Sequence, residues 1–115
     1  MASALVPIDG GGRMTDNEKI NLKNDVIKIA EHYGFENQYK KLLEEMAELA
    51  EAGLDCKRSP TKGNRKHMKE EIADVRVMLD QMAYFLNDDG EDGGEIEEIM
   101  RYKVDRQLKR MEEEG

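Results

Sequence analysis

The chain has 115 residues, of which 26 are acidic and 18 basic, giving a formal net charge of -8. This length fits one small domain, the acidity disfavours a nucleic acid polymer as partner, and the short apolar runs disfavour a membrane-spanning segment. A single cysteine, Cys56, cannot form an internal disulfide, so we expect a reducing, cytoplasmic setting. Anionic small molecules remain compatible with this charge, because a bound metal ion can supply positive charge.

Residues 1–13 differ in character from the remainder of the chain. They are weakly apolar, contain Pro7 and include three consecutive glycines just before Arg13. Such a stretch is typical of an added tag or a disordered arm. We therefore expect the folded domain, a single all-α unit, to cover residues 14–115.

Two helical patterns occupy the first half of the domain. Thr15 and Glu18 have the spacing of a capping box at the start of the first pattern, and Gly34 provides its stop. The second pattern runs over about residues 36–54, with apolar side chains on one face. Residues 58–64 then predict a loop, because they contain a proline and a glycine that break helices.

Two further helical patterns complete the chain. The third, ending at Leu86, has apolar residues alternating by four and three, and the fourth covers about residues 95–113. A polar, glycine-rich turn over residues 87–94 separates them. The apolar side chains expected inside the fourth helix are Ile96, Ile99, Met100, Val104, Leu108 and Met111.

The chain lacks sustained strand alternation, so the four patterns predict an all-α fold, specifically a four-helix up-down bundle with short connections. Aromatic residues are only 5% of the chain and tryptophan is absent, so the core of such a bundle is thin. Small bundles of this kind often gain burial by self-association. We therefore expect a homodimer or a homotetramer.

Four carboxylates stand out from the solvated acidic surface. Glu45 and Glu48 are three residues apart, as are Glu71 and Asp74, so each pair projects from one helix face. Both pairs lie at the edge of an apolar stripe, where like charges are costly unless something positive holds them. Two facing pairs would form a cage of oxygen ligands, which suits Mg²⁺ or Mn²⁺ better than Zn²⁺ or Cu²⁺.

These acids allow two other interpretations. A di-iron bundle requires a glutamate three residues before a histidine on each of two helices, but Ile29 and Asn64 precede His32 and His67. This pattern excludes the di-iron centre. The other interpretation, that the acids only form salt bridges with lysines and arginines at the bundle edge, stays open.

The carboxylate pairs and their settings resemble the MazG-type nucleotide pyrophosphohydrolases, whose superfamily includes all-α dimeric dUTPases, dCTP pyrophosphatases and phosphoribosyl-ATP pyrophosphohydrolase. The resemblance lies in KLLEEMAELAEA at residues 41–52 and EEIADVRVML at residues 70–79, and it covers about residues 20–111. It extends to residues 102–106, which are similar to a basic N-K-x-x-x-R-type stretch. Tyr102 stands there where many relatives carry asparagine.

The resemblance implies Mg²⁺-dependent cleavage of a nucleoside triphosphate between the α- and β-phosphates, giving a monophosphate and pyrophosphate. It implies that the metal ligands are Glu45, Glu48, Glu71 and Asp74. Phosphoryl transfer needs positioning and charge neutralisation, and a carboxylate can deprotonate the attacking water. For that role we consider Glu44, with Glu48 as the alternative.

Substrate contacts are expected from basic and amide side chains. Lys103 and Arg106, three residues apart on the fourth helix, suit the phosphates, and Gln38 is a further candidate. The alternative function is a non-catalytic acidic helical module that dimerises and binds a basic partner.

Overall fold

The computed structural model describes residues 13–87 and 94–115, and every regular element in these two ranges is an α-helix. The helices are α1 (Asp16–Tyr33), α2 (Phe35–Arg58), α3 (Lys62–Leu86) and α4 (Gly94–Glu114). The all-α prediction is confirmed. The expected N-terminal arm, except Arg13, and most of the polar turn before α4 lie outside the described residues.

Local signals fix both ends of α1. The backbone N–H of Glu18 donates to Thr15 Oγ1 at 3.1 Å, and the backbone N–H of Thr15 donates to Glu18 Oε2 at 3.1 Å. This is the predicted capping box, which satisfies two donors that an α-helix leaves unpaired. Gly34 ends α1 with a φ of +84°, a conformation that side chains with a Cβ rarely adopt. The chain therefore turns directly into α2 at this glycine.

The connection between α2 and α3 is shorter than predicted. The sequence indicated a loop over residues 58–64, but α2 extends through Arg58 and α3 already begins at Lys62. The reason is Thr61, whose Oγ1 accepts a hydrogen bond from the backbone N–H of Asn64 at 3.1 Å. This cap stabilises the first turn of α3 in spite of Gly63.

The core forms chiefly between α2 and α3. Leu42 packs there with Val75, Met78 and Met82, and two partly buried side chains, Leu49 and Phe85, cover this cluster. The rings of Phe35 and Phe85 lie 5.6 Å apart, so the start of α2 lies beside the end of α3. The two helices therefore run in opposite directions. α1 adds its buried residues Val26 and Ala30.

α4 contributes no buried side chain among the described residues. The six apolar residues expected inside this helix are all exposed, from 37% for Ile96 to 57% for Met100. The described core is thus built by α1, α2 and α3, and the four-helix up-down arrangement stays a prediction. A membrane span needs a helix that combines sufficient length with an apolar sequence, and the part of the chain that the structure describes contains no such helix.

Candidate metal centre

Three carboxylates from two helices converge at the α2–α3 contact. Glu45 of α2 and Glu71 and Asp74 of α3 each offer an oxygen atom, and these atoms lie within 4.8 Å of one another. Glu45 follows Leu42 by one turn, and Glu71 precedes Val75 by one turn, so core packing brings the acids together. We call these three residues the carboxylate triad.

Burial makes the triad unusual. Glu45 is 7% exposed and Glu71 is 8% exposed, values otherwise found here for core side chains. The Oε2 atoms of both residues are buried and have no hydrogen-bond partner among the described residues. Unpartnered buried carboxylate oxygens are strongly unfavourable, and two beside each other also repel. A bound cation would remove both penalties at once.

A lysine and a histidine lie beside the outer oxygens of the buried glutamates. Lys41 Nζ lies 3.2 Å from Glu45 Oε1, and His67 Nε2 lies 3.8 Å from Glu71 Oε1. The hydrogen bond to Glu45 is the main cause of the raised pKa of Lys41. The side chains of Lys41 and His67 are both more than half exposed, and each lies beside Oε1 rather than Oε2. Neither side chain therefore pairs with the inner Oε2 atoms of Glu45 and Glu71.

The charge of the triad also acts on its exposed members and neighbours. The pKa of Glu48 is raised first by the negative charge of Glu45, then by desolvation and by Glu71. Partial burial of its carboxyl raises the pKa of Asp74 most, followed by the charges of Glu45 and Glu71. Glu48 thus lies close enough for the charges of Glu45 and Glu71 to affect its pKa, although it is outside the group of oxygen atoms within 4.8 Å. The excess negative charge is local and concentrated.

The other predicted site residues have different surroundings. Glu44 is exposed, with its Oε2 3.9 Å from Lys41 Nζ. Lys103 and Arg106 are exposed on α4, and no contact described for residues 13–87 and 94–115 joins either one to the triad. The guanidinium of Arg106 instead lies 5.8 Å from the centroid of the Tyr102 ring.

Gln38 is buried between α2 and α3, so its surroundings differ from those of a substrate contact on the surface. Its Nε2 donates to Gln81 Oε1 at 2.7 Å. Gln81, which the sequence analysis missed, is 1% exposed. The signal for it was a polar residue one turn before Phe85 on the core face. His67 was also missed, although its spacing of four residues from Glu71 indicates a contact on one helix face.

The donor set fits a hard divalent cation. Carboxylate oxygens are the preferred ligands of Mg²⁺ and Mn²⁺, and the two unpartnered Oε2 atoms supply the observation that favours a cation here. Comparisons of the chain with models of known families, with curated proteins and with solved structures found no match. The resemblance to MazG-type pyrophosphohydrolases therefore rests on the motifs of the chain itself.

Proposed function

We propose that the protein is a Mg²⁺-dependent nucleoside triphosphate pyrophosphohydrolase, in which Mn²⁺ can replace Mg²⁺. It would cleave the bond between the α- and β-phosphates and release a nucleoside monophosphate and pyrophosphate. The observation that carries the metal-dependent part is the pair of buried, unpartnered Oε2 atoms of Glu45 and Glu71, beside Asp74. The choice of a nucleotide substrate rests on the resemblance of both carboxylate motifs to the MazG type.

The triad would hold the cation, with Glu48 as an additional ligand. A bound divalent ion would neutralise phosphate oxygens and lower the pKa of a water molecule. Among the chain's own groups, Glu48 is our first candidate for the proton acceptor when it does not ligate the cation, because it lies beside the triad and remains exposed to water. Glu44, which is exposed and contacts Lys41, is the weaker candidate.

The net charge of -8 disfavours an anionic substrate unless a cation offsets it. The triad alone would repel a triphosphate, whereas a triad with divalent ions would attract it. Lys103 and Arg106 remain our candidates for the outer phosphates. In this arrangement they would act from an α4 helix that lies beside the site, from the same chain or from a second copy.

An exposed apolar surface favours self-association. We define the α2–α3 apolar face as seven side chains that are between 38% and 63% exposed: Tyr39, Leu43, Met46 and Leu54 of α2, and Ile72, Leu79 and Leu86 of α3. Helical spacing puts both sets on one side of this antiparallel pair. Together they offer roughly 600 Å² per copy, near the 800 Å² per partner of a standard interface.

A second copy fits this face better than a basic partner does, because the face is apolar and identical on both copies. We therefore propose a homodimer or a homotetramer assembled through it. Light scattering coupled to size exclusion tests this: Leu79→Glu should give monomers, whereas Lys69→Glu, an exposed position on α3 outside the face, should keep the assembly. A monomeric parent chain, or an intact assembly in Leu79→Glu, would contradict the proposal.

The single cysteine, Cys56, favours a reducing setting, so we place this assembly in the cytoplasm.

Pyrophosphate release tests the activity. The full chain would be incubated with ribo- and deoxyribonucleoside triphosphates in Mg²⁺ or in EDTA, using ¹⁸O water to locate the bond that is cleaved. We expect pyrophosphate and monophosphate only with Mg²⁺, and a large loss of the rate in Glu45→Gln but not in Glu70→Gln. Glu70 is the matched control because it is exposed beside Glu71 and outside the triad. No turnover of any nucleotide would refute the proposed activity.

A further inference from the structure

The most deeply buried large side chain of the described residues is polar. Gln81 is 1% exposed, and its Oε1 accepts the 2.7 Å hydrogen bond from Gln38 Nε2. Its own Nε2 donates to Met78 Sδ at 3.7 Å. A buried amide group is unfavourable unless it forms a hydrogen bond. The two amides therefore require α2 and α3 to pack with Gln38 opposite Gln81.

The glutamine pair shares one register with the carboxylate triad. Gln38 precedes Glu45 by seven residues on α2, and Gln81 follows Asp74 by seven residues on α3. Because α2 and α3 run in opposite directions, pairing Gln38 with Gln81 automatically places Glu45 beside Asp74. Seven residues are about two turns, or about 10 Å along the helix axis. The amide pair therefore lies outside the triad but in the same helix register.

The short connection over residues 59–61 limits how far α2 can slide along α3, but the apolar contacts beyond it do not specify the register uniquely. Apolar side chains recur every three or four residues on both helices, and so do the acids, as Glu45 with Glu48 and Glu71 with Asp74. A slip of one turn would still place apolar groups on apolar groups. It would, however, move Gln38 away from Gln81 and leave two buried amides opposite apolar neighbours such as Met78. Single buried polar residues fix the register of paired helices in the same way.

We propose that Gln38 and Gln81 are positioning residues: their hydrogen bond selects the α2–α3 register that assembles the carboxylate triad. The effect on metal binding rests on the proposed function, whereas the effect on register does not. This role replaces the substrate contact predicted for Gln38. It also explains why an amide is present at a position where an apolar side chain would pack without any such requirement.

Distances between spin labels, measured by double electron–electron resonance, test the register directly. Spin labels are attached after Lys40→Cys and Lys69→Cys, both exposed positions, in a chain carrying Cys56→Ser, and labelled protein is diluted with unlabelled chain. The test variant is Gln38→Met with Gln81→Met, which preserves side-chain length and helix propensity. We expect its α2–α3 distance to broaden or to shift by about 5 Å, one helical turn. The matched control, Gln107→Met on exposed α4, should leave the distance unchanged.

A second variant keeps the test valid if the double Met variant fails to fold. In Gln38→Glu the Gln81 amide can rotate and donate to the new carboxylate, so we expect this variant to keep the parental distance. An unchanged distance in the double Met variant would overturn the proposal, as would a lost register in Gln38→Glu.

Mn²⁺ titrations of the same proteins separate the two proposals. We expect at least a tenfold loss of affinity in the double Met variant. A register shift in a protein whose parent binds no Mn²⁺ would leave the register role standing and refute the metal centre. Parental Mn²⁺ affinity in a double Met variant with a shifted distance would contradict the link between register and site.

Discussion

Glu71→Gln should stabilise the metal-free protein, although it alters a buried residue. Glu71 is 8% exposed, its Oε2 has no partner, and two other carboxylates lie within 4.8 Å. At an effective dielectric constant of about 20, each such pair repels by about 3.5 kcal/mol. Solvent at exposed Asp74 and the cation Lys41 reduce this repulsion. We therefore expect a gain of about 1–3 kcal/mol in the free energy of unfolding, because a neutral amide also donates to its neighbours.

Thermal unfolding followed by circular dichroism measures this effect. In EDTA, Glu71→Gln should melt roughly 3–12 °C above the parent chain, and Glu70→Gln should melt within about 2 °C of it. With Mg²⁺ at about 1,000 times its Kd the order should reverse, because a ligand at that concentration stabilises the parent by about 4.1 kcal/mol. A Glu71→Gln variant that melts below the parent chain in EDTA would refute the reasoning. A parent chain whose melting temperature does not change with Mg²⁺ would also refute it.

Three further predictions concern the acids near the triad and a helix cap. Glu48→Gln should reduce pyrophosphate release more than Glu44→Gln, measured as kcat with saturating Mg²⁺; equal losses would contradict our choice of base. The raised pKa values of Glu48 and Asp74 mean that the folded, metal-free chain binds protons more readily than the unfolded chain, so its melting temperature in EDTA should rise as the pH falls from 7 towards 5. A melting temperature that falls as the pH is lowered over that range would contradict this prediction. Thr61→Ala should cost about 1 kcal/mol in urea unfolding, because the N-cap of α3 is lost.

Sequence reasoning succeeded where the signal is local or lies on a single helix. The capping box of Thr15 and Glu18 depends only on residues three apart, and it formed as predicted. The pairing of carboxylates on α2 and α3 followed from their position at the edge of apolar stripes. The sequence predicted that all four acids lie at the edge of the core, and the burial of Glu45 and Glu71 confirms this for those two, whereas Glu48 and Asp74 are exposed.

Features that depend on how the helices pack against one another could not be predicted from the sequence. Periodicity identified the apolar side of α4, but it does not reveal what covers that side, and the described residues leave it exposed. The hydrogen bond between Gln38 and Gln81 requires the α2–α3 register, which near-repeating apolar and acidic positions do not define. The early start of α3 was missed for a different reason, since Gly63 hid the capping signal of Thr61.

Direct titration with Mn²⁺, followed by the loss of the free-ion electron paramagnetic resonance signal, tests the central claim that the carboxylate triad is a metal centre. The parent chain should bind Mn²⁺ and release it to excess Mg²⁺. Glu45→Gln and Glu71→Gln should each weaken binding at least tenfold, while Glu70→Gln should bind as the parent does. A parent chain that leaves Mn²⁺ free in solution, or a Glu45→Gln variant that binds as tightly as the parent, would contradict the account.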